Sequence, residues 1–131
     1  MNDCLFCKII NKEIPSKTIY EDDLIKVFLD INPNTNGDML IIPKKHYENI
    51  LEIDENIITH CHKIIKNTLF PIIKKKLQAT GLTIIQNNGT GQEVKHYHIH
   101  LTPRYENDDL KISANKDILL ELDDIQTKLM K

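Results

Sequence analysis

The segment His96-Tyr97-His98-Ile99-His100 places a histidine at every second position. On an extended chain such positions share one face, about 6.6–6.8 Å apart. Burying them together requires a partner for every ring nitrogen; an exposed, histidine-rich edge is the alternative. Chemistry explains the pattern better. The central His98 can attack an electrophilic phosphorus with one ring nitrogen, provided the other is held on a fixed acceptor. His96 and His100 then shape charge and solvation around the same substrate. Just upstream, Asn87-Asn88-Gly89-Thr90-Gly91-Gln92 offers amides and exposed backbone N–H groups that can cradle an anion. The side chains of Asn87 and Gln92 suit non-bridging oxygens or a leaving group. A plain β-turn is the competing reading of this loop, and its position directly before the histidines favours the cradle.

A second set of reactive residues lies at the start of the chain. Cys4 and Cys7 form Cys-x-x-Cys, a spacing that suits two thiolates on one zinc ion and equally a redox pair. A redox pair usually opens a helix after a strand, and no strand precedes Cys4. Zinc requires two further ligands from a distance, since the chain has no second Cys-x-x-Cys. Cys61 reads instead as a buried thiol on an apolar helix face. His46 follows Pro43-Lys44-Lys45 at a strand end, where a cap or a surface position is its ordinary role. His60 and His62 are two apart, share no helix face, and receive no role.

The elements that position these groups follow from periodicity. Cys4 to Ile10 is one helical turn or two. Lys17 to Tyr20 and Leu24 to Leu29 read as strands about a turn at Glu21-Asp22-Asp23, and Met39 to Ile42 as a third strand stopped at Pro43. Asp54 caps a long helix whose apolar face carries Ile57, Ile58, Cys61, Ile64, Ile65, Thr68 and Leu69. Pro71 kinks or restarts it, and Gly81 stops it. Leu82 to Ile85 is a fourth strand. Val94 to Leu101 alternates strictly and reads as a fifth, ended by Pro103. Ile118, Leu122, Ile125 and Leu129 mark a C-terminal amphipathic helix. Short connections favour antiparallel neighbours, so the expected class is α+β: an antiparallel sheet of about five strands with helices on one face.

Composition narrows the function. The chain has 131 residues, 17 Lys plus Arg against 19 Asp plus Glu, and a formal charge of −2. That size suits one domain, and the acidic balance argues against a nucleic-acid partner. No apolar run reaches the roughly 20 residues of a membrane span, and the start lacks a signal-peptide pattern. The 3 cysteines are an odd number and do not form a paired disulfide framework, so a reducing, cytoplasmic setting is expected.

The segment Gly91-Gln92-Glu93-Val94-Lys95-His96-Tyr97-His98-Ile99-His100-Leu101-Thr102-Pro103-Arg104 closely resembles the signature of the histidine triad (HIT) superfamily. Cys4-Leu5-Phe6-Cys7-Lys8-Ile9-Ile10 with Glu13-Ile14-Pro15, then Phe28-Leu29-Asp30-Ile31-Asn32-Pro33, then Gly37 through His46, resemble that family in the same order. The best fit is the bacterial branch related to the Hint proteins. The resemblance implies one HIT domain over residues 1–131, with 105–131 the less well matched part. It implies a nucleotide hydrolase or transferase acting at the α-phosphate of purine nucleoside phosphoramidates or adenylates. His98 is then the nucleophile of a transient nucleotidyl-histidine and His100 assists, with Gln92 in the catalytic set. Asp30 and Ile31 match the ribose and base pocket, and Asn87, Gly91 and Gln92 the phosphate loop. A structural zinc on Cys4, Cys7, His46 and His96 is implied, with no catalytic metal. So is a homodimer paired through the long helix and a sheet edge. Dinucleoside polyphosphate hydrolysis, or a nucleotide-binding regulatory role with incidental turnover, are the alternatives. One position departs from the pattern: Glu93 stands where Hint-type members carry a small hydroxyl residue. If the strand already begins there, alternation puts it on the face opposite His96 and His98.

Overall fold

Alternation decides which face each strand side chain takes, and here it builds two apolar layers on one sheet. The computed structural model describes residues 3–130. Five strands, Thr18–Glu21 (β1), Ile25–Leu29 (β2), Met39–Pro43 (β3), Gly81–Gln86 (β4) and Ile99–Arg104 (β5), form a single antiparallel sheet in the order β1-β2-β3-β5-β4. Val27, Ile41, Ile99 and Leu101 point to one face and pack on the long helix through Ile57, Cys61, Ile65, Leu69 and Ile73. Phe28, Leu40 and Ile42 point to the other face and meet Phe6 and Ile9 of a short helix, Leu5–Ile10 (α1). The α+β class and the order of elements are as expected. The expectation of helices on one face only is corrected, because α1 carries its two buried apolar residues to the opposite side.

The long helix runs as Glu55–Ile64 (α2), a π-helical turn Ile65–Leu69, and Phe70–Leu77 (α3). Asp54 caps it by accepting the N–H of Asn56 at 2.8 Å. Pro71 cannot donate to an ordinary α-helical bond. The extra residue of the π turn absorbs this, with the Phe70 N–H bonding the Ile65 carbonyl. Neither a sharp break nor a fresh start results. Gln78 in the left-handed conformation (φ 59°) ends the helix; Gly81 instead opens β4. The last helix (α4) forms over Leu122–Leu129; Ile118, expected on its apolar face, lies instead in a separate 3-10 turn, Lys116–Ile118. No helix among the described residues is long and apolar enough to cross a membrane.

β5 differs most from expectation. It begins at Ile99, not Val94, and passes through Pro103. Before Ile99 the chain bonds irregularly to the segment after β3: the Tyr97 N–H donates to the Tyr47 carbonyl at 2.7 Å. These bonds replace a ladder. Pro103 is tolerated because β3 pairs only with Ile99–Leu101, so β5 is locally an edge there.

Candidate functional site

His98 stands where the irregular segment enters β5. Tyr97 and Ile99 face the helix layer, so His98 and His100 face the α1 side. The Nδ1 of His98 lies 2.8 Å from the His96 carbonyl. A carbonyl only accepts, so Nδ1 carries the proton and Nε2 keeps its lone pair. The rings of Phe6 and His98 pack in a T-shaped arrangement, 5.0 Å between centroids, and the His100 ring lies 4.9 Å from that of His98. Burial pushes the pKa of His98 down. The His96 carbonyl opposes this, His100 reinforces it, and the carboxylates of Glu93 and Asp30 oppose it, leaving the value below the ordinary one. The imidazole is therefore neutral, oriented and largely sequestered: the form a nucleophile needs.

A cleft of about 360 Å³ opens over these rings, within the usual range for small-molecule sites. Leu5, Phe6, Ile14, Phe28 and Leu40 give it apolar walls, while Asp30, Asn87, Gly91, Glu93, His98 and His100 supply its polar groups. Asp30 Oδ1 accepts the Asn32 N–H at 2.9 Å. Ile31, 89% exposed, stands at the rim. The loop before the histidines carries two glycines with positive φ, Gly89 at 75° and Gly91 at 95°, a conformation that side chains resist.

The predicted site residues do not all converge. Asp30, Ile31, Asn87, Gly91, His98 and His100 line the cleft together. Gln92 does not. It is buried, its Nε2 donates to the Glu48 carbonyl at 2.7 Å and its Oε1 accepts the Gly89 N–H at 3.1 Å. Glu93 lies in the cleft with His98: the opposite face held only for a strand already begun at 93, and β5 begins at Ile99, so alternation does not apply. Sequence reasoning missed three groups. Phe6 floors the nucleophile. Lys95 donates its ammonium to the carbonyls of Gly89 and Gln92 at 3.3 and 3.0 Å. Asn88 Oδ1 accepts the Ile50 N–H at 2.8 Å, tying the loop to its neighbour. An aromatic two residues after Cys4 carries no signal of its own, nor do bonds to distant carbonyls.

Next to this cleft Cys4, Cys7, His46 and His96 place their ligating atoms within 4.8 Å of one another. The Sγ of Cys4 and the Nδ1 of His96 are 3.4 Å apart, Cys7 Sγ and His46 Nδ1 3.4 Å, and the two Nδ1 atoms 3.1 Å. A tetrahedral ion with two sulfur and two nitrogen ligands sets such edges at about 3.3–3.8 Å; the two sulfur–nitrogen distances fall in that range and the nitrogen–nitrogen one just below it, so the residues fit a metal ion. Behind His96, Nε2–H donates to the Pro43 carbonyl at 2.9 Å, fixing the tautomer that leaves Nδ1 free to ligate. Burial pushes the pKa of His96 down to about 4, so the ring is neutral. Cys4 Sγ also accepts the Cys7 N–H at the start of α1. Burial and Cys4 push the Cys7 thiol up to about 11, a cost that a cation between the two sulfurs removes.

The family model for the HIT domain matches residues 11–107, a span that begins after both cysteines. An uncharacterized HIT-like protein of Methanocaldococcus jannaschii is 44% identical over 124 residues, covering 93% of this chain and 95% of that one. The adenosine 5′-monophosphoramidase of Saccharomyces cerevisiae is 39% identical over 103 residues, covering 77% of this chain and 62% of that one. The crystal structure of a zinc-bound histidine triad family protein from Mycobacterium smegmatis matches with a TM-score of 0.79 at 30% identity, covering 87% of this chain and 84% of that one.

Proposed function

Because this chain belongs to the HIT family, we propose that it hydrolyses purine nucleoside phosphoramidates or adenylates at the α-phosphate, through a covalent nucleotidyl-His98. The observation that carries this reading is the 2.8 Å bond from His98 Nδ1 to the His96 carbonyl on the floor of an apolar cleft. With Nδ1 so fixed, the Nε2 lone pair attacks phosphorus in line. The Nε2–P bond forms as the bond from phosphorus to the leaving nitrogen or oxygen breaks, and that atom departs with its electron pair, a nitrogen having taken a proton from solvent and a carboxylate oxygen leaving as the anion. N–H groups of the Asn87–Gln92 loop, with His100, stabilise the charge on the phosphoryl oxygens. Water then attacks phosphorus, the P–Nε2 bond breaks, and the nucleoside monophosphate is released. The Asp30 carboxylate accepts from the ribose hydroxyls, and Ile31 covers the base. Gln92 acts by holding the loop.

Zinc is the ion that suits Cys4, Cys7, His46 and His96, since a closed set of two thiolates and two imidazoles is structural in character. When bound it cross-links α1 to the segment carrying the nucleophile. This set supports placement in the Hint-like branch, as does the likeness to the zinc-bound mycobacterial protein. We place the chain as one domain in a reducing cytoplasm, with Cys4, Cys7 and Cys61 all unpaired in disulfides. It works as a homodimer, to which the half-exposed Ile84 and Ile85 of edge strand β4 contribute.

The test is AMP release from adenosine 5′-phosphoramidate beside a diadenosine polyphosphate. Higher kcat/KM on the phosphoramidate is expected. The reverse order transfers the assignment to polyphosphate hydrolysis, and no turnover of either favours a binding protein.

A further inference from the structure

The cleft is unusual for one that would take a nucleotide: two carboxylates, Asp30 and Glu93, line it, and among the described residues no lysine or arginine does. We propose that Glu93 selects substrates whose leaving amine itself bears a positive charge, so that the preferred class is nucleoside phosphoramidates of ammonium-bearing amines. This deepens the phosphoramidase reading and rests on it.

Glu93 is exposed at the cleft wall shared with His98 and His100. It joins none of the ion pairs found among the described residues. The nearest cation in sequence, Lys95, is turned away onto the carbonyls of Gly89 and Gln92. Gln92, directly before it, is pinned to Glu48 and Gly89, which fixes the point at which the Glu93 side chain leaves the loop. The second carboxylate is already engaged, since Asp30 accepts the Asn32 N–H and stands at the ribose end in the reading above.

The balance of charge then sorts the leaving groups. A single α-phosphate charge is met by neutral donors, the loop N–H groups and the His100 imidazole. A polyphosphate tail brings further anions that find no lysine or arginine among the described residues of the cleft and meet Glu93 instead. A neutral amine is indifferent to it. An amine carrying an ammonium group beyond the bridging nitrogen gains an opposite charge within reach, in a cleft whose apolar walls weaken screening.

The experiment measures kcat/KM on three adenosine 5′-phosphoramidates of similar size, with leaving groups propylamine, ethylenediamine and glycine. These carry a neutral, an ammonium and a carboxylate tail. Wild type should rank them ammonium, neutral, carboxylate, with about tenfold between the extremes at low salt and a smaller ratio as salt is added. Glu93→Gln should flatten the series and Glu93→Lys should reverse it. A flat series in wild type overturns the proposal without any variant, as does an unchanged order in Glu93→Gln. Turnover of none of the three overturns the phosphoramidase reading, and this inference with it. The two failures are therefore distinct.

Discussion

His98 is held by two partners, a carbonyl at Nδ1 and the Phe6 ring packed in a T-shaped arrangement against its own. Its partners come from its own segment and from a helix far away in sequence. The pattern of histidines was legible because alternate positions share a face, and Cys4, Cys7, His46 and His96 do converge. Gln92 shows where a motif stops informing. Residue type suggested contact with substrate, yet the side chain is spent on Glu48 and Gly89. Gln92→Ala should therefore cost about 1–3 kcal/mol of stability, the penalty for leaving buried polar groups unpaired, with turnover falling through the loosened loop. Urea unfolding and kcat measured together decide it. Unchanged stability with lost turnover would instead mean that the amide contacts substrate.

At the scale of elements, two clasps hold the sheet to its helices. One is the cluster of Cys4, Cys7, His46 and His96, which joins α1 to the segment before β5 and fits a metal ion. Chelation, or Cys7→Ser, should lower the unfolding free energy by at least about 2 kcal/mol, read by thermal unfolding with and without added zinc; no change would remove the metal from the fold. The other clasp is Asp22. It accepts from Tyr20 Oη at 2.7 Å, from His60 Nε2 at 2.6 Å, and from the N–H groups of Leu24 and Ile25. Burial alone would raise its pKa, but these donors outweigh it and hold the carboxyl well below the usual carboxylate range. A depressed folded pKa contributes stability that is present above the unfolded value, about 4, and is lost as pH falls through the folded one. Asp22→Asn keeps an acceptor for the turn and loses the charge. It should cost about 1–2 kcal/mol at pH 7, with the gap closing as acid is added. Equal gaps at neutral and acid pH would show that the charge does nothing. His60 received no role from the sequence because its partner lies on another element, which no helical spacing reveals. The start of β5 was misplaced for a related reason. Alternation persists through Val94–His98, but the hydrogen bonds there go to Tyr47 and Pro43 and not to a ladder.

For the whole molecule, the sheet and the long helix were readable because both rest on periodicity, whereas the side taken by α1 depends on Phe6 and Ile9 meeting Phe28 and Leu40. The C-terminal segment has the pattern of a helix without its burial. Every residue from Lys111 to Met130 is exposed, including Leu122 and Leu129. Periodicity shows that a face is apolar and does not show what covers it. Edge strand β4 likewise leaves Ile84 45% exposed. If the dimer is built on that edge, Ile84→Lys should shift the sedimenting species from dimer to monomer while the far-UV circular dichroism is kept. A mass unaffected by the substitution would exclude that edge, and a monomeric wild type at micromolar concentration would exclude the dimer.

The most direct measurement is AMP release from adenosine 5′-phosphoramidate by the intact protein and by His98→Ala, with folding of both checked by circular dichroism and AMP binding by calorimetry. Loss of at least about a thousandfold in kcat, with AMP still bound, is the result expected of a missing nucleophile. Equal turnover by a folded variant would contradict nucleotidyl transfer through His98.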